Sequence, residues 1–134
     1  MRRYRIFQKL VFLVYLAFVA YLCFGHFTRI PRVPRVIWGI PTDKWVHFLM
    51  FFPFPVLCFL TVDNHRRGFW RRLLLAVSVL AAGCALAAAT EIGQSFTTYR
   101  SGDKLDWYAD FYALGSCTVL TLLVDLILPH KKRR

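Results

Sequence analysis

Residues 73–110 read LLLAVSVLAAGCALAAATEIGQSFTTYRSGDKLDWYAD. About twenty small or apolar residues run without a charge as far as Glu91, which is the length an α-helix needs to cross a bilayer core. A polar stretch then brings Gln94, Arg100, Asp103, Lys104, Asp106 and Asp110, and the chain turns apolar again. Four of the seven acidic residues of the chain lie at this seam. The pattern is that of two membrane spans joined by a short polar hairpin.

Three further features of the chain agree. The chain of 134 residues is 57% hydrophobic and 17% aromatic, with mean hydropathy +0.46. That is more apolar surface than a soluble domain of this length can bury. The formal charge of +11 would otherwise point to nucleic acid. The basic residues occur mainly as short clusters between apolar runs, however, which is the pattern of membrane flanks, and no nucleic-acid partner is expected. Four stretches are long enough to span: residues 7–24, 45–62, 73–92 and 107–128. We therefore expect an all-α integral membrane bundle of four transmembrane helices, a single domain over residues 1–134. Pro53 and Pro55 in the second stretch predict a kink or broken turn there. The third stretch, rich in Ala, Gly and Ser, permits close backbone approach and is expected to form the centre of the bundle.

The amino-terminal MRRYRIFQK followed by an apolar run resembles a signal sequence, but no small-x-small cleavage site follows, so an uncleaved first span is expected. Arg2, Arg3, Arg5 and Lys9, Arg66, Arg67, Arg71 and Arg72, and Lys131, Lys132, Arg133 and Arg134 fall on one side of a four-span chain. Arg29, Arg32, Arg35, Lys44, Arg100 and Lys104 fall on the other. Twelve against six places both ends in the cytoplasm and loops 25–44 and 93–106 outside, in a cytoplasmic (inner) membrane. In the first of these loops Arg29, Arg32 and Arg35 recur every three residues among prolines. The segment can be an extended basic strip that contacts anionic lipid headgroups, or a solvated linker.

Cys23, Cys58, Cys84 and Cys117 each fall inside or at the edge of a different apolar run, without ligand spacing, and are read as packing residues. The ionisable residues carry more information. Asp43, Lys44 and His47 open the second span, and Asp43 and His47 share a face if the helix already begins there. Glu91 and Gln94 close the third span. Asp103, Asp106 and Asp110 follow the spacing of one helical stripe at the start of the fourth, where acidic side chains also suit the helix dipole. Three segments thus bring charged groups to one depth, with Arg100, Lys44 and His47 as available cations; such residues usually face a bundle interior or a wet cavity.

The order Asp43-Lys44-x-x-His47, with Phe51 four residues on, then Glu91-x-x-Gln94, Arg100 and Asp106-x-x-x-Asp110, resembles the VanZ-like family of small membrane proteins over about residues 43–115. Asp110 stands where that family usually has Asn, and Ala113 where it commonly has Gly. The resemblance implies an envelope protein with a role like that of its namesake in glycopeptide (teicoplanin) resistance. Three functions stay open on the residues. One is a polar pocket for a lipid headgroup, an envelope precursor or an amphiphilic antibiotic, in which Arg100, Lys44 and the arginine strip meet anionic groups. Another is an outer-leaflet hydrolase or transferase acting on a lipid-linked substrate, with His47 and Glu91 as base and acid and a divalent ion on Asp103, Asp106 and Asp110. The third is a charge cluster in which Arg100 and Lys44 only pair with the acids and tie the outer ends of spans two, three and four together. No catalytic motif is recognisable, and no cofactor or resident metal is assigned.

Overall fold

The structure is a computed structural model that describes residues 2–25, 34–62, 68–98 and 103–127. Four helical stretches are long and apolar enough to cross a membrane, and the chain is a multi-pass membrane protein. The first is α1, Arg2–Phe24. The second is broken into α2, Thr42–Phe51, and α3, Phe54–Thr61. The third and fourth are α4, Phe69–Ser95, and α5, Lys104–Ile127.

Lipid-facing surface distinguishes this bundle from a soluble one. Phe7, Leu13, Val14, Phe18 and Tyr21 of α1, Leu74 and Val77 of α4, and Val119, Leu120 and Leu123 of α5 are all exposed. Lipid solvates such side chains at no cost, so helix association rests on close packing and internal polar contacts instead. On α4 the buried residues are Ala76, Val79, Gly83, Ala87, Thr90, Glu91 and Gln94, a single helical stripe. On α5 they are Asp106, Asp110, Ala113, Leu114, Cys117 and Thr118. The two stripes meet at Gly83, where a Cβ would lie 2.5 Å from Leu114 Cδ2 and 3.2 Å from Phe54 Cδ1. A second close approach sets Gly93 against the ring of Phe24, 2.8 Å from where a Cβ would stand.

The small residues of α4 bring it close to its neighbours: it packs on α5, on α3 and, more lightly, on α1, and so meets all three other spans. Helix α5 packs on α2, α3 and α4.

The break between α2 and α3 follows from Pro53 and Pro55, which have no N–H to offer the Leu49 and Phe51 carbonyls. At this break the Tyr15 hydroxyl donates to the Met50 carbonyl at 2.7 Å and ties α1 to the kink. At one end of the bundle Arg72 of α4 holds α5, its Nη1 donating to the Asp125 carbonyl at 3.0 Å and its Nε lying 3.5 Å from the Asp125 carboxylate.

At the other end the chain enters α2 through a two-stranded hairpin, β1 (Val36–Ile37) paired with β2 (Ile40–Pro41) in the register Val36↔Pro41, Ile37↔Ile40. Trp38 and Gly39 both have positive φ, +51° and +77°, as a two-residue type I′ turn requires. Trp45 Nε1 donates to the Ile37 carbonyl at 3.1 Å, and the Thr42 hydroxyl donates to the Pro34 carbonyl. The expected absence of helix in this proline-rich segment holds for residues 34–41; Arg29 and Arg32 lie outside the described residues.

Candidate functional site

Helix α5 begins on a side-chain cap. Asp103 Oδ1 accepts from the Leu105 N–H at 3.0 Å, and the Asp103 carbonyl accepts from Asp106 N–H, the arrangement that satisfies otherwise orphaned donors of a first turn. Asp103 therefore precedes the helix rather than sharing its stripe, and its side chain is 44% exposed. Asp106 and Asp110 are helical, one turn apart, and point into the bundle, 8% and 0% exposed. Helix α2 supplies Lys44 and His47 from its first two turns, and α4 supplies Glu91 and Gln94 from its last.

Lys44 joins three carboxylates. Its Nζ donates to Asp43 Oδ2 at 2.9 Å, to Asp103 Oδ2 at 2.7 Å and to Asp106 Oδ1. The hydrogen bond from Lys44 holds the Asp103 carboxyl below the usual carboxylate range. Next to Lys44, one helical turn on, His47 is 2% exposed. Its Nδ1 lies 3.1 Å from Asp110 Oδ1, and its Nε2 lies 3.6 Å from Asp106 Oδ2. Glu91, 9% exposed, accepts the Asp103 N–H on Oε2 at 3.1 Å. Its Oε1 is buried, has no hydrogen-bond partner among the described residues, and lies 3.8 Å from His47 Nδ1.

Most of the residues expected from the sequence are thus assembled, with some changed roles. Asp43 and His47 do not pair; Asp43 turns outward to Lys44, while His47 turns inward to Asp110. Gln94 leaves the ionic cluster and donates to the Cys23 carbonyl at 3.0 Å, joining α4 to α1. Arg35 is exposed, and its carbonyl accepts from Thr42 N–H at 3.0 Å. Arg100, one expected tie, lies outside the described residues. Lys44, the other expected tie, joins α2 to α5, because α2 already begins at Thr42 and aims its first turn at α5. At the base of the cluster His47 faces the full carboxylate of Asp110.

Two features had no signal in the sequence. One is the Glu91–Asp103 backbone contact, which depends on how the α4–α5 hairpin closes. The other is an apolar groove of about 280 Å³ between α1 and α4, lined by Leu16, Val19, Ala20, Phe24, Leu86, Ala89 and Thr90. Its lining reaches Thr90, the residue before Glu91 in α4.

Chemically, the cluster combines a buried imidazole, an orienting carboxylate and two further carboxylates with free oxygens. Each of Asp106 and Glu91 commits one oxygen to holding the structure and turns the other toward His47. Comparison with known proteins finds no family model, no curated sequence and no solved structure that matches the chain.

Proposed function

We propose that the chain is a VanZ-like protein of the cell envelope, with both termini cytoplasmic and the His47 cluster at the outward end of the bundle. There it binds the polar head of an amphiphile, a lipid headgroup, an envelope precursor or an amphiphilic antibiotic, whose apolar part lies along the α1–α4 groove. The observation that carries this reading is the adjacency of the two surfaces. A groove able to take an acyl or alkyl chain is lined as far as Thr90, the residue before Glu91 in α4, and the buried Oε1 of Glu91 retains acceptor capacity. Lys44 is already shared among three carboxylates. The cluster therefore favours a head that brings positive charge, either as an amine or through a bound cation.

Native mass spectrometry of the purified protein tests the reading. The wild type is expected to carry an amphiphile that Ala20→Trp, filling the groove, and Glu91→Gln, altering the polar end, both release while the fold is retained. An amphiphile equally retained by both variants, or absent from the wild type, refutes it. If Glu91→Gln instead unfolds in step with its loss of binding, the cluster serves only to join helix ends.

A second reading, an outer-leaflet hydrolase or transferase, has one observation in its favour. His47 is held by Asp110 at 3.1 Å as an orienting carboxylate holds a general base. It requires turnover of the bound amphiphile, visible as a product mass that His47→Gln abolishes.

A further inference from the structure

We infer that His47, Glu91 and Asp106 form a site for one divalent first-row transition cation, such as Zn²⁺ or Mn²⁺. One ligating atom from each lies within 4.8 Å of the others, and all three residues are buried. An acidic cluster alone would not carry this inference; three features of this one do.

Glu91 Oε1 is a buried carboxylate oxygen without a hydrogen bond among the described residues, a costly state unless a cation or donor completes it. One separation is also informative. His47 Nε2 lies 3.6 Å from Asp106 Oδ2, too long for a hydrogen bond but within the spacing of about 3 to 4 Å between neighbouring ligands that each sit roughly 2.0–2.2 Å from one metal. Finally, each ligand has its own orienting partner. Asp110 binds His47 Nδ1 and leaves Nε2 to ligate, the Asp103 N–H holds Glu91 Oε2, and Lys44 holds Asp106 Oδ1. Ligand-orienting contacts of this kind are the usual surround of a metal-bound histidine. One nitrogen and two carboxylate oxygens suit a first-row transition ion better than Mg²⁺ or Ca²⁺, which prefer oxygen alone.

In the amphiphile reading the cation would meet an anionic head, and the inference rests on that reading for this step alone. The test uses the full chain in detergent, stripped with chelator and titrated with Zn²⁺ or Mn²⁺ alone. The wild type is expected to take up one ion per chain and to gain thermal stability from it. Asp110→Asn removes the charge that raises the basicity of His47 and should weaken uptake by about 10-fold, the lower end of the effect of altering a ligand's orienting partner, and Glu91→Gln should lose it altogether. Should Glu91→Gln fail to fold, Asp110→Asn, which keeps an acceptor for His47, carries the comparison. A folded wild type that takes up neither ion, or variants that bind with unchanged affinity, overturn the inference. Amphiphile mass is read on the loaded and the stripped protein. Its loss on stripping supports the bridging step. Its retention by a wild type that binds no metal overturns the metal site and leaves amphiphile binding intact.

Discussion

His47 Nδ1 lies 3.1 Å from Asp110 Oδ1, and both side chains are almost wholly buried. This contact crosses from α2 to α5, so it is both a packing element and the base of the candidate site. Removing Asp110 leaves the buried imidazole without its hydrogen-bond partner, at a cost of about 1–3 kcal/mol. Asp110→Ala should therefore lower the thermal midpoint sharply in detergent or bicelles. Asp110→Asn should cost much less, because an amide oxygen still accepts from the imidazole. Equal losses in the two variants would show that the charge, rather than the hydrogen bond, matters.

Lys44 concentrates its effect on one partner. Its bond to Asp106 is largely shielded, whereas Asp43 and Asp103 are about half exposed. Lys44→Met is expected to destabilise by several kcal/mol, on the order expected for a broken buried pair. Asp43→Asn should change stability by no more than about 1 kcal/mol, the ordinary value of a surface ion pair. The thermal midpoints of the two single variants decide this ordering.

Acidification acts on Asp103. The hydrogen bond from Lys44 depresses its carboxyl in the folded protein, so the unfolded chain binds the proton more readily. The associated stability is present above the ordinary carboxylate value of about 3.9 and is lost as pH falls through the lower folded value. Asp103→Asn should flatten the acid limb of the midpoint-versus-pH curve and leave the neutral region nearly parallel to the wild type. An unchanged acid limb would detach Asp103 from the Lys44 network.

Gly83 reports on how closely α4 and α5 approach. A methyl there would overlap Leu114 Cδ2 at 2.5 Å, and overpacking of this kind costs about 1–3 kcal/mol. Gly83→Ala is expected to destabilise, and combining it with Leu114→Val should recover part of the loss. The recovery would appear as non-additivity in a double-mutant cycle. Strict additivity would mean that the two residues are not in contact.

Orientation is open to direct labelling. Thr98, exposed after the end of α4, is expected on the outside. In a background with the four native cysteines replaced, Thr98→Cys should react with a membrane-impermeant maleimide in intact cells. Labelling only after lysis would invert the topology and place the His47 cluster on the cytoplasmic side.

Much of this architecture is legible in the sequence because a bilayer imposes one-dimensional rules. Apolar runs of spanning length mark the four helical stretches, and Pro53 and Pro55 mark the break between α2 and α3, since missing N–H groups act locally. The one-turn spacing of Asp106 and Asp110 likewise determines that they share a face. Which partners those groups choose is not local. Asp43 and His47 sit four residues apart yet pair elsewhere, because the packing of α2 on α5 sets Lys44 against Asp106 and His47 against Asp110. The free oxygen of Glu91 exists only because the α4–α5 hairpin brings the Asp103 amide to the other oxygen. Run length and residue spacing suffice for a four-span bundle with charge gathered at one end. The choice of Asp106 as the shielded partner of Lys44 and the convergence of His47, Glu91 and Asp106 depend on distances between helices, which no spacing along one helix encodes.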